Sequence, residues 1–295
     1  MTAPAPRPRP QIGPAAWKAS DLSAADWMLP VGAEQTQELA GEGPLTTLGP
    51  MLGQAATRLE TGRGFVLLRA LPQERFAAPE AALLRLGAVL GRPLGQGAGA
   101  IGLLESPAGG RLRLRFHADA ADIVALWVLT QPPEVDPAML VAAASVHNAL
   151  MLRDRGALEL LHLPYPHLLP DGSIAELPVF SSASGAFTGR YARSAIEAAQ
   201  RRPEVPRLSA AQMAALDLLD MVSAEPGLAL RIDVRPGDLL LFNPLLVWKR
   251  RAEAEPGAEE GRVRQAMRLL LVTTNSRAVP GGLLALDGVT NRTGG

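Results

Sequence analysis

The chain sets short apolar runs between turn residues more often than it sustains a helical period. Residues 61–71 open with a glycine turn and continue as a compact apolar stretch, the pattern of a buried strand. In 76–90, Leu83, Leu84, Leu86 and Leu90 are spaced to fill one face of a helix. Residues 112–116 alternate arginine with apolar side chains and 123–129 are apolar and partly β-branched, which predicts two strands around a loop holding His117, Ala118 and Asp119. A buried strand is expected at 139–146, a helix at 147–161 and a surface loop over the proline-rich 163–178. Ser209 with Gln212 three residues later forms a capping box ahead of Met213, Leu216 and Leu219, so 207–222 is a helix that ends before Pro226. Strands follow at 229–234, 239–248 and 268–274, with the Pro236-Gly237-Asp238 turn between the first two. Many short strands with a few helices outside describe a mainly β protein with flanking helices (α+β), a double-sheet jelly roll.

No repeat or long linker divides the chain. Residues 1–15, rich in proline and alanine, read as a disordered tail, 16–285 as a single domain and 286–295 as a second tail. Lys plus Arg and Asp plus Glu each number 29 in 295 residues, so the basic excess that displaces counterions from phosphates is absent, and neither nucleic acid nor a membrane is expected as a partner. Apolar runs fall far short of the roughly 20 residues needed to span a bilayer, and the protein reads as cytoplasmic with small-molecule partners. With no cysteine, disulfides, thiolate nucleophiles and Cys-ligated clusters are excluded, and four histidines carry any imidazole chemistry.

Among candidate chemistry, His117 and Asp119 stand two residues apart, a spacing that puts imidazole and carboxylate on one side of a strand as a chelate. An ordinary polar loop is the plainer reading of those three residues taken alone. Residues 97–102 satisfy G-x-G-x-x-G, but Ser106, Pro107, Gly109 and Gly110 interrupt any helix that would face a pyrophosphate, so the stretch reads as a glycine-rich loop at a pocket mouth.

Context comes from five phrases in order: GRGFVLLRALP at 62–72, FHADAADIVALWVL at 116–129, SVHNALMLRDR at 145–155, GRYARSAIEAAQR at 189–201 and LRIDVRPGDLLLFN at 230–243. From about Arg63 to Leu271 the chain resembles the taurine dioxygenase and TfdA-like family, clavaminate synthase-like enzymes included, which use iron(II) and 2-oxoglutarate. The resemblance implies a double-stranded β-helix of the cupin-like jelly-roll type, with iron held by two histidines and one carboxylate. His117 and Asp119 match the first two ligands. Arg268 matches the arginine that grips the distal carboxylate of 2-oxoglutarate, with Arg264 a second candidate; a strand cap or a surface glutamate partner is the plainer reading of either.

The family pattern also breaks here. The phrase that should carry the distal histidine is occupied by Asn243 to Arg250, with Trp248 at the ligand's place, and an indole N–H offers iron no lone pair. Residues 135–138 keep neither the glycines nor the hydroxyl of the family's Gly-Gly-x-Ser/Thr element. His147, His162 and His167 read as exposed or satisfied side chains rather than replacements, and Glu253 and Glu255 as part of a solvated charge run. Two functions follow. One is a retired oxygenase fold that binds a small molecule or partners a homologous dioxygenase subunit or a second copy of itself, with Trp248 filling the metal cavity. The other is an active iron(II)/2-oxoglutarate oxygenase using His117 and Asp119 with an atypical third ligand. The primary substrate is not encoded in any of these motifs.

Overall fold

The computed structural model describes residues 8–96, 99–107, 112–133, 135–254 and 263–274. Its strands are β1 Met28–Pro30, β2 Phe65–Arg69, β3 Arg92–Pro93, β4 Ile101–Pro107, β5 Leu112–His117, β6 Ile123–Thr130, β7 Ala138–Ala142, β8 Pro164–Leu168, β9 Ile174–Pro178, β10 Phe180–Ala183, β11 Ala186–Gly189, β12 Leu230–Ile232, β13 Leu239–Phe242, β14 Val247–Ala254 and β15 Val263–Val272. The helices are α1 Ala24–Trp27, α2 Ala33–Ala40, α3 Leu48–Glu60, α4 Pro79–Leu90, α5 Ala143–Arg153, α6 Arg155–Leu161, α7 Arg193–Ala199 and α8 Ala210–Ser223.

Two sheets face each other. The larger runs β1-β2-β13-β6-β15-β3, with β4 also on β15, and the smaller runs β12-β7-β14-β5. Strand alternation gives each sheet two apolar faces and so three cores. Leu67, Val124, Leu126 and Leu240 of the larger sheet meet Leu140, Ile232 and Val247 of the smaller one between the sheets. The outer face of the larger sheet packs Val66, Leu68 and Leu269 on Leu52, Leu59, Leu83 and Leu86 of α3 and α4. The outer face of the smaller sheet packs Phe116, Val141 and Trp248 on α5, α6 and α8.

Predicted and observed elements agree where the local signal has a mechanism. Ser209 caps α8 by accepting from Gln212 N at 3.2 Å while its own N–H donates to Gln212 Oε1 at 3.0 Å. Several expectations are corrected. The strand expected at 139–146 stops at Ala142 and α5 begins at Ala143, because an alanine-valine run has no period that separates buried strand from buried helix. The helix expected at 147–161 is divided at Asp154, which caps α6 through Ala157 N at 2.9 Å. The loop expected at 163–178 is the β8–β9 hairpin, whose prolines sit in a two-stranded ribbon where an absent N–H leaves few ladder bonds unmade. The run at 239–248 changes sheets at 243–246, leaving β13 in the larger and β14 in the smaller. In the tail at 1–15, Gln11 exchanges two hydrogen bonds of 2.7 Å with the Asn148 side chain, so that part of it is docked. Among the described residues no helix is long and apolar enough to cross a membrane.

The Pro236-Gly237-Asp238 turn ties the end of the barrel. Gly237 has φ +85°, and a Cβ there would come within 3.1 Å of Leu71 O. Its N–H donates to Val128 O at 2.9 Å and its carbonyl accepts from Leu71 N at 2.8 Å. Asp238, 1% exposed, accepts from Arg69 Nε at 3.1 Å, Arg69 Nη2 at 2.9 Å and Arg235 N at 2.9 Å. Asp238→Ala strands those donors and is expected to lower unfolding free energy by about 2–3 kcal/mol, read from the urea midpoint at unchanged slope.

Candidate functional site

The mouth of the space between the sheets brings together several of the charged residues singled out from the sequence. His117 is the last residue of β5, and Ala118 N donates to Tyr191 O at 2.7 Å, fixing the backbone just beyond it. Asp119 returns toward the imidazole, with Oδ2 3.7 Å from His117 Nε2, and its Oδ1 lies 3.5 Å from Arg268 Nη1. Arg268 Nε also donates to Gln96 Oε1 at 2.7 Å. Three residues singled out from the sequence, His117, Asp119 and Arg268, are therefore brought together.

Arg264 lies four residues earlier on the same face of β15, where Arg264, Ala266 and Arg268 pair with Ser106, Leu104 and Gly102 of β4. Its guanidinium donates to Gln131 Oε1 and to the carbonyl of Asp136. Burial pushes the Arg264 pKa down, Asp136 opposes this and Arg250 adds to it.

Trp248 is not in this space. In the β14 ladder Trp248 pairs with Val141, and Lys249 pairs with both Leu140 and His117. Val141 belongs to the outer core and Leu140 to the inner one, so Trp248 points out toward the helices and Lys249 points in, beside His117. The indole donates to Gly189 O at 3.0 Å and packs on Phe180 and Tyr191 at centroid separations of 5.7 and 5.6 Å. Gly189 is required for that approach, since a Cβ there would lie 3.0 Å from the indole ring and 2.6 Å from the Ala143 methyl. The expectation that Trp248 fills the metal cavity is corrected by this one-residue difference in facing. Sequence reading missed Lys249, although a lysine following Val247 and Trp248 in an apolar strand carried the signal: the residue is only 6% exposed.

The other histidines lie outside the inter-sheet space. His147 and His162 meet at Nε2···Nε2 3.2 Å among Phe180 and Phe187, and His167 Nδ1 bonds Tyr165 O at 2.8 Å. Burial lowers all three pKa values, to about 4 for His147 and His167, with the neighbouring His162 adding to the effect on His147. Glu253 lies on β14 opposite Arg113 in register, and Glu255 lies outside the described residues, as do Gly97 and Ala98 of the glycine-rich pattern. Ile101 to Pro107 of that region is a strand, so no helix stands ready for a dinucleotide. Among the described residues no group of three His, Cys, Asp or Glu side chains is placed to hold a metal.

Solved structures share this fold. An asparagine oxygenase bound to Fe(II), 3-hydroxyasparagine and succinate superposes with TM-score 0.60 at 18% identity, over 84% of this chain and 94% of that one. The non-heme iron oxygenase OrfP with Fe and alpha-ketoglutaric acid gives 0.56 at 16%, over 83% and 94%. The chain has the fold of the non-heme iron oxygenases. PvcB from Pseudomonas aeruginosa gives 0.55 at 17% identity, over 83% of this chain and 84% of that one. Among curated proteins, FR-33289 synthase of Streptomyces rubellomurinus is 26% identical over 274 residues, covering 81% of this chain and 78% of its own. No family model matches the chain.

Two outcomes follow from this geometry. Trp248→His removes ring volume from the outer core and faces away from His117, so it is expected to cost about 2–4 kcal/mol in urea unfolding and to add no iron(II) affinity in calorimetry. Acid should destabilise the fold through the buried histidines. His147 and His167 titrate near 4 when folded against 6.5 as free groups, so the unfolded chain binds more protons between those values. Stability is then complete above pH 6.5 and falls toward pH 4, by on the order of 3 kcal/mol for each residue, as a pH series of urea midpoints would show.

Proposed function

We propose that this chain is a cytoplasmic homologue of the iron(II)/2-oxoglutarate oxygenases of the TauD/TfdA type in which the standard chemistry is lost or altered, leaving a protein that binds a small molecule or serves as partner to a homologous dioxygenase subunit or to a second copy. The observation that carries this reading is Lys249 beside His117 on the inward face of the smaller sheet. An imidazole and a carboxylate supply two of the three protein donors of a facial iron site. An ammonium in the third place has three N–H donors and no lone pair, and its charge repels a dication in a space of low dielectric. The Asp119 carboxylate is in addition held toward Arg268. These residues do not fit a resident iron ion. The likeness to oxygenases whose structures hold an amino acid product or L-homoarginine favours a small molecule as ligand.

A second reading, an active oxygenase with an atypical third ligand and 2-oxoglutarate on Arg268 or Arg264, is favoured by the 3.7 Å convergence of His117 and Asp119. Anaerobic titration with iron(II) separates the two. The protein is expected to give no tight binding heat and no iron-to-oxoacid charge-transfer band with 2-oxoglutarate. Lys249→His, which puts an imidazole opposite His117, is expected to create measurable iron(II) affinity. Tight iron binding by the unaltered chain would overturn the proposal.

A further inference from the structure

We infer that His147 and His162 form a two-histidine site for a divalent transition-metal ion of the zinc class, behind the smaller sheet and separate from the space that holds His117. The rings come from neighbouring elements, His147 from α5 and His162 from the C-terminal cap of α6, so an ion between them ties the two helices together. Their Nε2 atoms are 3.2 Å apart, with ring centroids at 5.3 Å and ring planes at 88°. The centroids are farther apart than the nitrogens, so both nitrogens lie between the ring centres and face one another.

The tautomers decide what such a meeting means. His147 Nδ1 lies 3.5 Å from Asn148 Oδ1. That atom is fixed as the oxygen by its other neighbours, since it accepts from Gln11 N at 2.7 Å while Asn148 Nδ2 donates to Gln11 O at 2.7 Å. An N–H at His147 Nδ1 is the form that suits it. His162 hydrogen-bonds the Phe180 backbone in the sense that favours its protonated form, hence as donor to the carbonyl, and with Nε2 turned to His147 that donor is Nδ1. Both rings then carry the proton on Nδ1 and the lone pair on Nε2. Two lone pairs at 3.2 Å repel unless a cation stands between them. Burial lowers both pKa values, so an extra shared proton is absent near neutral pH and a metal ion is the cation that remains.

Spacing favours zinc. Zn–N bonds of about 2.0–2.1 Å at tetrahedral angles put neighbouring nitrogens about 3.3–3.4 Å apart, close to the observed 3.2 Å. An Nδ1–H held by an amide oxygen or a backbone carbonyl is the outer support that orients histidine ligands and raises their basicity. Phe180 and Phe187 stand nearly at right angles to the His147 ring, at 5.2 and 5.3 Å, and hold it in place. His162 is partly exposed, so water completes the coordination from its side. Among the described residues no third His, Asp or Glu joins the pair, which limits affinity to a Kd on the order of 10 µM. Iron(II), lower in the Irving–Williams order, binds such a pair more weakly than zinc.

The test is calorimetric titration of the full chain, freed of metal with chelator and dialysed, with zinc chloride. A single equivalent is expected to bind and to raise the thermal unfolding midpoint. His162→Gln, at a partly exposed position, is expected to weaken zinc by about 10-fold or more, with circular dichroism checking that the variant folds. Cobalt(II) in place of zinc is expected to give visible bands of tetrahedral intensity, a readout on the unaltered chain that needs no variant. Absence of zinc binding at about 1 mM, affinity unchanged in His162→Gln, or binding lost in His117→Ala instead would each overturn the inference, the last by placing the ion at the inter-sheet mouth.

Discussion

The register of β14 against β5 and β7 is the constraint on which the rest of the site depends. A strand has period two, so a shift of one residue exchanges every inward side chain for its outward neighbour. Pairing Lys249 with His117 and Leu140 sends an ammonium into the space between the sheets and an indole into the helical layer. Reversed parity would bury Arg250 beside His117 and lose the packing of Trp248 on Phe180 and Tyr191. The outer core thereby helps determine the inner one. Trp248 is fully buried, its N–H is satisfied by Gly189 O, and Gly189 alone has room for it, so the tryptophan locks the register that presents Lys249.

That constraint also explains what could be read from the sequence and what could not. The α8 helix was legible because a capping box is local chemistry: Ser209 and Gln212 satisfy each other's backbone within one turn. The His117 and Asp119 pair was legible because two residues of spacing is also local, and Arg268 because an ordered set of phrases located β15. The facing of Trp248 was not legible. It depends on how many residues the chain uses between β13 and β14 while crossing from one sheet to the other, at 243–246, where Asn243 Oδ1 accepts from Leu245 N at 3.0 Å and the Asn243 carbonyl accepts from Leu246 N and Val247 N. No periodicity spans such a crossing, so matching 243–250 to the family's phrase put the tryptophan at a place that faces the outer core. The start of α5 failed for a related reason, because an apolar run buried on all sides has the same composition in either secondary structure.

The fold separates its imidazoles by role. His117 alone lies at the inter-sheet mouth, whereas His147, His162 and His167 are packed behind the smaller sheet among aromatic rings or backbone carbonyls, where burial holds them neutral. His147 stands on α5, His162 caps the end of α6 and His167 lies on β8, all in the layer outside the smaller sheet. The absence of a second imidazole beside His117 among the described residues is therefore built into the topology rather than into a side-chain rotamer.

An ammonium and a metal ion exclude each other at short range. A protein that exchanges one for the other loses the metal's vacant coordination positions, and with them the means to bring a second reactant to the same atom. Arg264 and Arg268 stand four residues apart on one face of β15, and the Asp119 carboxylate is close to only the second. The two arginines consequently differ in their surroundings: Arg268 lies against Asp119 beside His117, while Arg264 is tied to the Gln131 amide oxygen and the Asp136 carbonyl.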